Sequence, residues 1–264
     1  MKYYIVDAFT DELFSGNPAG VCLVDKPLDD ATMQRIAEEN NLSETAFVKP
    51  NDYGPGYDLR WFTPETEIDL CGHATLAAAY VLSTIVDPSL KVMTFYTMND
   101  ILSVSRDKDL FRMTFPTWDP QQIAPIPLAE QALGVPIYGT YKSRDLLLVV
   151  NDEETVRNLK PDMELLAQLP NCFGVIVTAQ GDEVDFVSRF FAPNAGIPED
   201  PVTGSSHCTL IPYWKSRSYQ SVFVARQLSA RGGTIYCSIG SGPLRDRVTI
   251  SGRAALYLSG EIHV

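Results

Sequence analysis

RWFTPETEI at 60–68 returns, altered, as RFFAPNAGI at 189–197. Arg60 and Arg189, Phe62 and Phe191, Pro64 and Pro193, and Ile68 and Ile197 all pair at one offset, 189 minus 60, or 129 residues. Working outward, MQRIAEE (33–39) answers to MELLAQL (163–169) at an offset of 130, and AGVCLVD (19–25) to DLLLVVN (145–151) at 126. Downstream, a three-residue insertion brings Gly72-His73 onto Gly204-Ser205, each ahead of a helical run. One such match is chance; four in one order describe a duplicated unit of strand, helix, strand, proline-containing loop and buried helix. Elements of this kind suit an α+β domain, a curved mixed or antiparallel sheet wrapped around one central helix. The sequence therefore predicts an α+β fold of two similar halves related by a pseudo-two-fold axis. FPTWDPQQIAPIPL (115–128), with four prolines and little periodicity, reads as the linker. The halves are then 1–117 and 118–264, the last strands being free to cross back to the first half.

The helical runs are LDDATMQRIAEEN (28–40), GHATLAAAYVLSTIV (72–86) and GSSHCTLIPYWKS (204–216). The second is apolar all round, the mark of a buried helix. The third carries Pro212, a helix breaker.

Composition bounds the function. The 264 residues are 45% hydrophobic and 20% charged, enough for a full core. With 21 Lys and Arg against 33 Asp and Glu, the net charge is −12. Such a chain is repelled by phosphate backbones and anionic lipid, so neither nucleic acid nor a membrane surface is expected as a partner. No apolar run reaches the ~20 residues of a membrane span. The start, MKYYIVDAF, alternates like a strand and has no signal-peptide pattern. Five cysteines without a CxxC argue against a disulfide framework. A soluble, cytoplasmic protein is expected. GSGPLR (240–245) resembles a phosphate loop but reads as a hairpin turn. No spacing of His, Cys and carboxylates suggests a metal site.

Each half has a polar loop running into its buried helix, PETEIDLCGH (64–73) in the first and PNAGIPEDPVTGSSH (193–207) in the second. A helix N-terminus offers unpaired N–H groups and a positive dipole end. Two of them converging on one cleft would hold a carboxylate or phosphate. Gly72 and Gly204 would allow close approach of backbone to ligand.

FTDELFSGNPAGV (9–21), LSETAFV (42–48), RWFTPETEIDLCGHATLAAA (60–79) and GIPEDPVTGSSH (196–207), with RGG (231–233) and SGRAALYLSGEI (251–262), resemble the phenazine-biosynthesis PhzF-like isomerase family. That family shares the diaminopimelate epimerase fold. The resemblance covers the whole chain. It implies an active site between the two halves, no cofactor, no metal, and proton-transfer isomerisation of a small carboxylate-bearing substrate. It places the acid/base role on Glu44, and catalytic or substrate-binding partner roles on His73 and Asp200. Substrate binding falls to Ser43, Gly72, Gly204 and Ser205, and less directly to Asn17. Homodimers occur in the family and are expected here.

The residues themselves add to this. Glu44 enters an apolar strand, where partial burial suits a carboxylate to acid–base work. Its duplicated position, at the offset of 129, is Phe173, so the chemistry is expected in one copy. Cys71 stands where the related epimerases carry a first thiol, but the second loop has no cysteine. A two-thiol mechanism cannot be carried over, and Cys71 is taken as a packing or accessory residue. His207 either lines the cleft or packs, and His263 is expected in solvent. Two other readings stay open: a non-catalytic metabolite- or protein-binding member of the fold, and an amino-acid racemase or epimerase.

Overall fold

A computed structural model of the chain describes residues 1–244 and 246–264. Packing divides it into two units, Met1–Thr114 with Ser251–Val264, and Phe115–Ile250.

The first unit is built on β1 (Lys2–Ala8), β2 (Asn17–Leu23), α1 (Asp30–Asn40), β3 (Glu44–Pro50), β4 (Tyr57–Phe62), β5 (Glu67–Ile68), α2 (Gly72–Val81), β6 (Val92–Tyr96), β7 (Ile101–Asp107) and β8 (Leu110–Pro116). β1 pairs antiparallel with β2, β2 parallel with β3, β3 antiparallel with β4, β4 parallel with β6, and β6 antiparallel with β7. Asp29 caps α1, accepting from Thr32 N–H at 2.7 Å. The left-handed Asn41, φ 48°, ends it. Met33, Ile36 and Ala37 of α1 pack with Tyr3, Cys22, Phe47 and Phe62 of the sheet. α2 continues as a π-helical turn over Leu82–Val86, so the whole apolar run 72–86 is helical as its composition predicts. It is buried and touches β1, β2, β3 and β7.

The second unit follows with β9 (Gln121–Gln122), α3 (Pro127–Leu133), β10 (Gly139–Lys142), β11 (Leu146–Val149), α4 (Glu153–Asn158), α5 (Met163–Ala167), β12 (Val175–Gln180), β13 (Phe186–Phe191), α6 (His207–Lys215), β14 (Val222–Gln227), β15 (Gly233–Ile239) and β16 (Arg247–Gly252). From β10 to β15 the pairings run antiparallel, parallel, antiparallel, parallel, antiparallel, the same order as β1 to β7. The internal repeat of the sequence is thus a repeat of sheet topology, and the fold is α+β.

Three details show how the sequence builds these units. Arg60 forks onto Glu67, with Nε and Nη2 each 2.7 Å from a carboxylate oxygen. Arg189 forks onto Glu199 in the same way, at 2.7 and 2.8 Å. The partner lies seven residues on in the first unit and ten in the second, so the three-residue insertion falls between the Arg and its Glu. Pro212 sits inside α6 because the carbonyl it deprives of an N–H, that of Cys208, accepts from Trp118 N–H instead, at 2.8 Å.

Strand register corrects one assignment. Thr45 pairs with Phe62, and Val175 with Phe191. The counterpart of Glu44 is therefore Gly174, not Phe173. A Cβ on Gly174 would lie 2.2 Å from the Phe190 ring, so a side chain there would have to displace that buried ring.

Of the stretch GSGPLR, Arg245 lies outside the described residues. Gly242–Leu244 form a 3-10 turn, and Gly240 N–H donates to Arg247 O at 2.9 Å. The chain then returns to the first unit as β17 (Ala254–Glu261), antiparallel to β1. Among the described residues no helix is long and apolar enough to cross a membrane.

Candidate active site

The candidate residues divide by unit. Asn17, Ser43, Glu44, Gly72 and His73 belong to the first, and Asp200, Gly204 and Ser205 to the second. In the first unit the parallel pair β2–β3 brings Asn17 and Glu44 to the same sheet end, since Ala19 pairs with Glu44. α2 begins beside them, with Cys71 as its N-cap residue and Gly72 as its first residue. Asn17 is fully buried, and Glu44, Cys71 and His73 are 6–7% exposed. Ser43 is half-buried on the bend before β3.

His73 is the centre of this group. Its Nε2 lies 2.9 Å from Glu44 Oε2. The approach is that of an ion pair without hydrogen-bond alignment. Its Nδ1 accepts from Asn17 Nδ2 at 3.3 Å and lies 3.6 Å from Cys71 Sγ. An amide N–H can donate only to an unprotonated nitrogen, so in the neutral ring the proton sits on Nε2, toward Glu44.

The electrostatics pull in opposed directions. Burial disfavours the His73 imidazolium, but Cys71 and Glu44 beside it outweigh burial and the net shift is upward. Burial pushes the Cys71 thiol up, with the Glu44 charge adding to it. Asn17 opposes the rise at His73 by donating to Nδ1.

A metal set hidden from sequence spacing also emerges. One donor atom each from Glu44, Cys71 and His73 lies within 4.8 Å of the others. Carboxylate, thiolate and imidazole suit a zinc ion. Binding one would require Cys71 to lose its proton against the pull of burial. It would also have to draw Glu44 and Cys71 onto one imidazole nitrogen, where each now faces a different one.

Beside the cluster the start of α2 is open. Thr75 N–H is the first to reach back along the helix, to Cys71 O at 3.2 Å. The amides of Gly72 and His73 precede that bond at the helix N-terminus, while Ala74, fully buried, keeps its N–H beside the Cys71 thiol. A Cβ built on Gly72 would meet nothing within 4 Å, so packing does not demand glycine there.

In the second unit Asp200 accepts from Thr203 Oγ1 at 2.6 Å, and its carbonyl accepts from Gln227 Nε2 at 2.6 Å. Thr203 N–H donates to Gln227 Oε1 at 2.8 Å, which pins the loop that ends in Gly204 and Ser205. His207 is fully buried, and its Nδ1 donates to Thr203 O at 2.9 Å. It packs rather than lining an opening, and burial lowers its pKa to about 4. His263 is exposed.

Comparison with known proteins places these motifs. Residues 6–260 match the family model of phenazine biosynthesis-like proteins. An uncharacterized isomerase of Pseudomonas aeruginosa is 49% identical over all of this chain and 99% of its own length. The crystal structure of a PhzF-family phenazine biosynthesis protein from Enterococcus faecalis superposes with a TM-score of 0.96 at 48% identity, covering 100% of this chain and 99% of that one. A predicted epimerase of Pseudomonas aeruginosa shares the fold, with a TM-score of 0.71 at 20% identity over 100% and 99% of the two chains. The chain belongs to the phenazine biosynthesis-like, or PhzF, family of isomerases.

Proposed function

We propose that this isomerase moves a proton within a small carboxylate-bearing metabolite, without a cofactor, using Glu44 as the acid/base. The observation that carries the reading is the buried contact of Glu44 with His73 at 2.9 Å, beside the open start of α2. Glu44 Oε2 faces the imidazole, which leaves Oε1 to take a proton from carbon. The N–H groups of Gly72 and His73 offer donors for negative charge that develops on the substrate. A base held in a nearly dry site can keep the proton and return it elsewhere on the same conjugated system. Asn17, on this reading, acts through His73 by setting its tautomer. Asp200, Gly204 and Ser205 lie in the second unit, and their part in the reaction rests on the family likeness alone.

The experiment is carbon-bound deuterium uptake. The protein is incubated in D2O with a panel of small unsaturated carboxylates, and each is read for a one-dalton mass gain. Glu44→Gln keeps shape but cannot accept a proton, and should slow uptake ~10²-fold or more. Normal uptake by Glu44→Gln would remove Glu44 from the chemistry.

A second reading is favoured by one contact, Cys71 Sγ at 3.6 Å from His73 Nδ1. It is thiol-based racemisation or epimerisation, and burial, which pushes the thiol up, works against it. Cys71→Ala tests it in the same assay. A small loss keeps the carboxylate mechanism, and a loss matching that of Glu44→Gln supports the thiol. Exhaustive chelation should leave turnover unchanged, and a rate restored only by added zinc would assign Glu44, Cys71 and His73 to a metal.

A further inference from the structure

Where the first unit gathers an acid, an imidazole and an amide, the second unit gathers a cation. Through the offset of 126, the start of β2 at Asn17-Pro18 corresponds to Ser143-Arg144, just ahead of β11. The Arg144 guanidinium lies against two aromatic rings, 4.5 Å from the Trp118 centroid and 5.0 Å from that of Phe173. Its Nε is 3.3 Å from both oxygens of Asp145, and its Nη2 is 3.0 Å from Oδ2. Nη2 also donates to Ser205 Oγ at 3.3 Å, on the loop that leads into α6. Nη1 has no hydrogen bond to a described residue, and about a third of the side chain is exposed, at 35%.

The charge balance is not closed by Asp145. That carboxylate is fully buried, and two cations act on it, Arg144 and Lys142. In a chain of net charge −12, a spot where two cations meet one carboxylate is unusual. The position is also rigid. Asp145 and Ser205 fix one edge of the fork, and Trp118 and Phe173 restrain its plane, so little side-chain entropy remains to be lost on binding. A guanidinium restrained in this way, with one nitrogen still open, presents the geometry that recognises a carboxylate or a phosphate oxygen.

We propose that Arg144 is the anion-binding residue of the second unit, with Ser205 as its neighbour, and that it receives a carboxylate on its open Nη1 edge. This assigns Ser205 a defined polar partner and gives the unit that lacks a catalytic carboxylate its own part in holding ligand. None of its residues belongs to the unit that holds Glu44, and its test reads binding rather than turnover.

The probe is benzoate, a flat carboxylate whose neutral isostere, benzamide, has the same size. Binding is measured by isothermal titration calorimetry. Wild type should bind benzoate and ignore benzamide. Arg144→Gln should weaken benzoate about tenfold or more, the loss of a charge-assisted pair. Arg144→Lys keeps the charge without the fork and should fall between, and its melting temperature controls for folding. Benzoate bound equally by wild type and Arg144→Gln, benzamide bound as well as benzoate, or no saturable benzoate binding would each overturn the proposal. Absence of deuterium uptake with benzoate binding still tracking Arg144 would sink the isomerase mechanism and leave this site standing.

Discussion

Glu44 and His73 show what one sequence can and cannot disclose at the scale of a residue. SETAF and CGHAT were legible as motifs, and each pointed to its residue. Their meeting was not, because 73 minus 44 is 29 positions and nothing local encodes a contact across them. It arises from the parallel pairing of β2 with β3 and from α2 beginning at the same sheet end. Cys71 was readable as a neighbour of His73 in the chain, yet its contact with Nδ1 depends on the extended backbone at the N-cap, φ −143°. The buried contacts of His207 were also unreadable, and they carry a measurable cost. The ring donates from Nδ1 to Thr203 O, its Nε2 is buried without a partner, and its pKa falls from the ordinary 6.5 to about 4. Between those values the unfolded chain binds the extra proton and the folded one does not, so stability rises with pH through that window. Acidification from pH 7 to 4 should therefore remove on the order of 3 kcal/mol through this group. Urea unfolding at the two pH values measures it. His207→Asn keeps a donor for Thr203 and should flatten the dependence, whereas an unchanged slope would place the acid sensitivity elsewhere.

Elements were legible where the apolar pattern was long enough. The run of α2 shows this without any side-chain cap, and α1 lies within the run 28–40 read as helical. α4 was missed although Asp152 caps it, accepting from Thr155 N–H at 2.8 Å, because it is one short turn with a single buried apolar residue, Val156. The repeat itself was legible through Arg60 and Arg189, but their task was not. Each arginine clamps the loop ahead of a buried helix through a fork onto a glutamate. The clamps differ in depth. The Arg189 side chain is 10% exposed and also donates to the carbonyls of Val156 and Leu159, whereas Arg60 is 34% exposed. Both pairs are partly buried, but loss of Arg189 would also strand two buried carbonyls, at ~1–3 kcal/mol each. Arg189→Met should therefore destabilise far more than Arg60→Met in chemical denaturation, and equal losses would show the clamps to be interchangeable.

At the scale of the whole molecule, the duplicated units have kept their topology and parted in chemistry. Glu44 is answered by Gly174, where a side chain would displace the Phe190 ring, and Arg144 stands where the first unit has Pro18. Offsets of 126, 129 and 130 between the halves made the duplication readable, but they blurred single positions by a residue, which is why register was needed to find Gly174. The closing strand has a consequence of a different kind. β17 pairs with β1 along its length, and Met1 and Ile262 exchange backbone hydrogen bonds at 2.9 and 3.1 Å. During synthesis β1 emerges long before β17, its second neighbour in the sheet. Through most of synthesis that edge stays open to pairing with other chains, while the second unit, contiguous in the chain, can complete itself first. The first unit is therefore made in two pieces, and the earlier piece gains its closing strand only when Ser251–Val264 has followed the whole of the second unit.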